Sequence, residues 1–201
     1  MHKLIFVLFF LSGCARAEDN PRAAGSGQSV KVAAVKKTAP AAAQDRFTCT
    51  PPAGWEAKRD RGNEARTGIQ KLELLGPGAE RAPVIIYASF YGAASTAFAG
   101  YEDFIERNSK NILGETESDT EKFSPVAQTE LAGKKAFVFD SEIKEYPHPE
   151  SKSEESVMVK EKFYVAPAQG GFFVLHYYAP ASAFGKYLPV FRKFAASCKF
   201  R

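Results

Sequence analysis

The chain has 201 residues, of which 13% are aromatic and 25% charged, and a net charge of +4. Residues 46–201 carry 21 basic and 20 acidic side chains, so the folded part has no cationic excess to attract phosphates, which excludes nucleic acid as a partner. Charges interrupt every apolar run after Leu11, which excludes a later transmembrane helix.

The chain opens with Lys3, an apolar run from Leu4 to Leu11, and then Ser12, Gly13 and Cys14. A basic start before a short apolar core is the pattern of an export signal peptide. At ~1.5 Å per residue the run covers about 12 Å, far less than the roughly 30 Å hydrocarbon core of a bilayer. Two cleavage sites compete. Leu11-Ser12-Gly13-Cys14 resembles a bacterial lipobox: a branched residue, two small residues and the cysteine to be lipidated. Cleavage there makes 1–13 the signal peptide. Ala15-Arg16-Ala17 offers the small-x-small pattern of ordinary cleavage, which makes 1–17 the signal and leaves a secreted or soluble periplasmic protein. The lipobox is preferred, because all four positions fit and the apolar run ends at them. On that reading Cys14 carries a diacylglyceryl group and an amide-linked acyl chain such as palmitate. Two or three chains give the stable membrane anchor that one chain does not. Ala15, where aspartate would retain the protein at the inner membrane, points to the outer membrane, with the protein facing the periplasm.

Residues 14–45 are rich in Ala, Gly, Ser and Lys, with Pro21 and Pro40 and few large apolar side chains. Such a stretch buries too little surface to offset its ordering entropy, so a flexible tether is expected. Its root-mean-square reach is ~30 Å. Composition changes at Arg46, and residues 46–201 have the length of one ordinary domain.

The domain opens on Phe47–Trp55, where Pro51-Pro52-Ala53-Gly54 is turn chemistry between two short strands. Strands are predicted at Ile69–Leu75 and Val84–Tyr91. A helix is predicted from Ala97 to Leu113, started by Ser95 or Thr96 and ended by Gly114. Phe98, Tyr101, Ile105 and Ile112 would form its apolar face. Strands at Val126–Leu131 and Lys135–Lys144, joined by Ala132-Gly133-Lys134, read as a hairpin. A polar loop from Tyr146 to Glu155 leads to a strand at Val157–Val165, and Gln169-Gly170-Gly171 turns into another at Phe172–Tyr178. The last element is a helix over Ser182–Ser197, with Phe184, Tyr187, Leu188, Phe191 and Phe194 on one side. Pro189 either removes a donor within it or sits in its first turn. Hairpin connections with interspersed helices give an α+β fold: an antiparallel β-sheet flanked by helices.

Either cleavage removes Cys14 from disulfide chemistry. Cys49 and Cys198 remain, an even pair in an oxidising compartment, and a structural disulfide is expected between them. Two buried thiols are the alternative. No Cys-x-x-Cys motif supports redox chemistry.

No catalytic constellation is found: there is no nucleophile elbow, phosphate loop or Ser-x-x-Lys pattern. His148 and His176 lack metal-ligand spacing, and His176 reads as a satisfied strand residue. No metal ligand or cofactor-binding residue is assigned, and no cofactor is expected. Lys58, Arg59 and Arg61, with Arg66 nearby, form the densest basic segment of the domain. It reads as a solvated strand end or as a docking patch for an acidic partner. Tyr87, Phe90, Tyr91, Tyr177 and Tyr178 would make an interaction surface if their outward members cluster.

Three segments carry a family resemblance. They are Pro51-Pro52-Ala53-Gly54-Trp55, Glu130-Leu131-Ala132-Gly133-Lys134-Lys135-Ala136, and Ala179-Pro180 with Phe184, Phe191, Phe194, Ser197 and Phe200. In these the chain resembles PsbP-like domains, the α-β-α sandwich of the photosystem II extrinsic protein and of many bacterial envelope proteins. The resemblance implies a non-enzymatic domain that docks on other proteins and has no catalytic residue to carry over. The expected function is therefore that of a tethered envelope lipoprotein docking on another envelope protein or complex. A small-ligand or lipid carrier, with an apolar pocket between sheet and helix, is the alternative.

Overall fold

The computed structural model describes residues 44–78, 82–148, 150 and 154–201. They fall in the second of two units into which the chain divides, Ala43–Arg201. The expected signal peptide, Cys14 and nearly all of the 14–45 stretch lie outside the described residues.

The elements run β1 (Phe47–Thr48), β2 (Glu56–Lys58), α1 (Arg61–Thr67), β3 (Ile69–Leu75), β4 (Ile85–Gly92) and α2 (Tyr101–Asn108). They continue with β5 (Glu121–Phe123), β6 (Ala127–Leu131), β7 (Lys134–Glu145), β8 (Val157–Ala168), β9 (Gly171–Pro180), α3 (Ala181–Ser197) and β10 (Lys199–Phe200). Eight strands form one sheet in the order β2-β3-β4-β9-β8-β7-β5, with β6 also paired to β7. All its pairings are antiparallel. β1 and β10 form a separate ribbon. The fold is α+β, as the sequence predicts.

Strand alternation sorts side chains onto two faces. On one, Leu74, Ile86, Ala88, Leu175 and Tyr177 pack against Phe191, Phe194 and Ala195 of α3. Tyr177 is fully buried, stacked between Phe184 and Phe191, and its hydroxyl donates to the Phe184 carbonyl at 2.8 Å. The space between α3 and the sheet, where a carrier would hold its ligand, is filled by these rings. On the other face Phe139, Phe163, Val165, Phe172 and Val174 are covered by Phe104 of α2, with Phe98, Tyr101 and Ile105 around it. No helix among the described residues is long and apolar enough to cross a membrane.

The β6–β7 hairpin turns as expected. Ala132 and Gly133 have φ of 50° and 76°, the left-handed pair of a two-residue type I′ turn, and Gly133 adopts it without a side-chain clash. The ribbon of β1 and β10 closes the domain. Cys49 and Cys198, which follow β1 and precede β10, are bonded with an S–S distance of 2.07 Å.

Three readings need correction. The helix expected over Ala97–Leu113 is confined to Tyr101–Asn108. At its start the Ser95 hydroxyl accepts the Ala97 N–H and the Asp103 carboxylate accepts the Ala99 N–H, which holds residues 95–100 in a loop. At its end the Asn111 side-chain oxygen takes the N–H groups of Leu113 and Glu115, an alternative to the helical ladder. Gly114 therefore ends no helix, and Ile112 belongs to no buried face. Second, the segment after Lys58 contains α1, not only a strand end. Asp60 caps it through Asn63 N–H at 3.0 Å, and Gly68 closes it at φ 69°. Third, β5 was missing from the predicted order; three residues carry too little periodicity to announce a strand. Of the two placements open for Pro189, the structure has the first: it lies in the middle of α3 and removes a donor there.

Candidate functional site

The face that carries α2 is only partly covered. Beyond the helix, register sets out two rows across the sheet. One reads Glu73, Tyr87, His176, Phe163, Phe139, and the next reads Leu75, Ile85, Tyr178, Glu161, Ser141. Each polar member interrupts an apolar alternation: Phe137-Phe139-Ser141-Ile143 on β7, Val157-Val159-Glu161-Phe163-Val165 on β8, and Phe172-Val174-His176-Tyr178 on β9. An inward polar group in such a run needs a partner, because unpaired burial is costly.

The partners are each other. Ser141 donates its hydroxyl to Glu161 Oε2 at 2.6 Å, and His176 Nε2 lies 2.9 Å from Glu161 Oε1. The His176 ring stacks on Phe163 at 4.2 Å and on Tyr87 at 5.5 Å. Lys71 Nζ stands 4.0 Å from the centre of the Tyr87 ring, a cation–π contact. Tyr178 donates to Glu145 Oε2 at 2.6 Å.

Burial works to raise the Glu161 carboxyl, but the bond and charge of His176 and the bond from Ser141 outweigh it and hold Glu161 below its ordinary value. Burial raises Glu145; the Tyr178 bond opposes this, and the nearby Glu161 charge adds to it. Burial pushes Tyr87 up to about 12, helped by the charges of Glu73 and Glu161, so it stays neutral.

The order of this network decides its chemistry. Nucleophilic catalysis requires a base to take the serine proton, with the carboxylate behind the base. Here the carboxylate stands in the middle, so Ser141 bonds to Glu161 and not to His176. Ser141 is also only 3% exposed, out of reach of an external substrate. The network satisfies buried polar groups and leaves Tyr87, Tyr178 and the edge of His176 half-buried at the surface.

The basic residues singled out from the sequence are brought near one another but do not form a free cationic patch. Arg59 is tucked against Phe47 and pairs with Glu64 at 2.5 Å and Asp45 at 3.0 Å. Arg61 pairs with Asp45 at 2.6 Å, which holds the Asp45 carboxyl below its usual range. Lys58 sits 3.3 Å from Glu56, and Arg66 donates to Asn63 at 2.7 Å. Of the aromatic group, Tyr177 and Phe90 lie in the α3 core and Tyr91 under α2, while Tyr87 and Tyr178 share the polar network. Within the Tyr146–Glu155 loop, residues 149 and 151–153 lie outside the described residues. Among the described residues no three His, Cys, Asp or Glu side chains converge as metal ligands.

Sequence reasoning missed the Ser141–Glu161–His176 relation, which depends on the register of three strands. Its only local signal was one polar residue in each apolar alternation.

No family model matches the chain, and no curated protein matches it. Among solved structures it is similar to PA94 of Pseudomonas aeruginosa, a protein of unknown function proposed as a regulator. Identity there is 12% over 78% of this chain and 99% of that one, with a TM-score of 0.44. It is also similar to cyanobacterial PsbP (CyanoP) from Synechocystis sp. PCC 6803, at 10% identity over 78% of this chain and 87% of the other, with a TM-score of 0.44. LpqN of Mycobacterium tuberculosis, involved in cell envelope biogenesis, is 14% identical over 76% of this chain and 82% of its own, with a TM-score of 0.41. A PsbP protein thus stands among the chain's structural neighbours, and the likeness concerns fold alone.

Proposed function

We propose that this protein is an exported lipoprotein, anchored by a lipidated Cys14 and facing the periplasm, whose domain docks on another envelope protein and performs no catalysis. The observation that carries the reading is Leu11-Ser12-Gly13-Cys14 at the end of an apolar run too short to span a bilayer. Three features support it. The 14–45 stretch has the composition of a spacer, Ser141 is buried with its hydroxyl bonded to Glu161, and the α3 side of the sheet is filled by side chains. Ala15 favours the outer membrane.

Two measurements test it. The mass of the mature amino terminus is expected to show acylated Cys14, and a free Glu18 start would remove the anchor. Crosslinking in intact cells is expected to recover one protein partner, in lower yield from Cys14→Ala. Recovery of no protein from either form would refute docking.

A further inference from the structure

After α2 the chain does not return at once to the sheet. It builds a projecting hook, and Asn111 is its base. The Asn111 side chain accepts the N–H groups of Leu113 and Glu115, each at 2.9 Å, and donates to the Glu115 carboxylate at 3.1 Å. Its backbone N–H reaches the Glu115 carbonyl at 2.8 Å. Further out, Glu117 bridges Lys122, and the Ser118 hydroxyl accepts from Thr120 and Glu121. Thr120 carbonyl to Lys144 N–H, at 2.7 Å, fastens the hook to β7.

This bonded frame holds Ile112 65% and Leu113 77% exposed; the next large hydrophobics, Val126 and Met158, stand at 40%. Residues 112–120 are all exposed, and Glu115, Glu117 and Asp119 follow the apolar pair in the same run. Fraying does not account for the exposure, because the turn that presents the pair is satisfied bond by bond.

We propose that this hook is the docking element of the domain, and that its occupant is a protein surface with an apolar pocket for Ile112 and Leu113, rimmed by lysine or arginine. The proposal rests on the docking function above and names its surface. Charge selects a protein over the bilayer. The acidic run is repelled by anionic lipid headgroups and complements a basic rim. The described chain also begins at the opposite end of the sheet, where Arg46 donates to the Gln169 carbonyl at 2.6 Å. Ala168 and Met158, which pairs with Lys144, are ten steps apart along β8, about 33 Å. Arg46 and the point where the hook is fastened to Lys144 thus lie toward opposite ends of β8.

The test uses the full-length protein in intact cells, with a photo-crosslinking amino acid at Leu113 and, for comparison, at Lys193 on α3. One protein adduct is expected from position 113 and none from 193. The adduct is expected to fall about tenfold in Ile112→Ser and in Glu117→Lys/Asp119→Lys, with an unchanged thermal midpoint in both. A protein adduct from 193 alone leaves docking standing and overturns the hook. Adducts from 113 with lipid only, or with a second copy of the chain, also overturn it. No protein adduct from either position, together with no partner in the general crosslinking above, removes the docking function itself.

Discussion

At the residue scale the polar network turns on Glu161, which joins Ser141 of β7 to His176 of β9. Its folded carboxyl titrates below its ordinary value of 4.5. A carboxyl depressed in the folded state contributes stability that is whole above the unfolded value and is lost as pH falls through the folded one. Glu145 on the same face acts with opposite sign. Its raised carboxyl carries a penalty at high pH that is relieved on acidification. Tyr178 and Tyr87 stay neutral throughout this range, and Tyr178 donates to Glu145. Replacing Glu161 by Gln keeps the shape but strips the charge that His176 and Ser141 are arranged around. Glu161→Gln is expected to cost about 1–3 kcal/mol near neutral pH. Below about pH 4.5 the wild type loses Glu161's contribution and the variant has none to lose, so the gap between them narrows. Urea unfolding of both proteins at about pH 7 and about pH 3.5 checks this. A gap that is constant with pH would mean that the Glu161 charge does not support the fold.

At the element scale α3 carries an instructive defect. Pro189 supplies no N–H to the Gly185 carbonyl one turn earlier, and both residues are exposed on the side away from the sheet. Water can take the freed carbonyl, which is why the helix runs through a proline that would break it on its buried side. Pro189→Ala restores the bond without disturbing the packed stripe. It is expected to stabilise the domain by about 1–2 kcal/mol, less what proline gains by restricting the unfolded chain. A thermal melt measures this, and a lowered midpoint would mean that the proline shapes α3 usefully. The stripe of α3 was readable because aromatic residues at helical spacing outweigh one missing donor. The long strands were readable from alternation and the β6–β7 turn from its glycine. α2 was overextended because Ile112 continues its spacing. Spacing does not reveal that the Asn111 side chain outcompetes the helix for two N–H groups. α1 was missed although both its caps, Asp60 and Gly68, were in view, since seven polar-rich residues offer little apolar period. The site was less readable than the fold. Glu161 lies 20 residues from Ser141 and 15 from His176, and register brings them together. A single sequence carries that register only through the polar residue left in each apolar alternation.

At the scale of the whole molecule the question is what keeps the two ends of the domain together. Sheet order places β2 at one edge and β5 and β6, both paired to β7, at the other, and neither β1 nor β10 takes part in the main sheet. The ends instead meet each other. Phe47 pairs with Phe200, Arg201 N–H reaches the Arg46 carbonyl at 2.8 Å, and Thr50 N–H reaches the Ser197 hydroxyl at 3.0 Å. A two-residue ribbon is too short to hold by itself. The Cys49–Cys198 bond, 149 residues apart in sequence, makes this closure permanent. In the chain-entropy model a loop of that length removes about 5 kcal/mol of freedom from the unfolded chain, and native disulfides of small exported domains are typically worth 2–5. The ribbon also supports the core, because Phe47 is buried in it and Phe200 stacks on Phe173 at 4.3 Å. Reduction should therefore act in two ways: a loss of about 2–5 kcal/mol in global stability, and local opening of β1 and β10 ahead of the rest. Urea unfolding with and without reductant measures the first. Hydrogen exchange measures the second, with protection lost at Thr48, Lys199 and Arg201 while β8 and β9 keep theirs. Equal loss across the sheet would mean that the domain has no separately opening end, and that the disulfide acts on the unfolded chain alone.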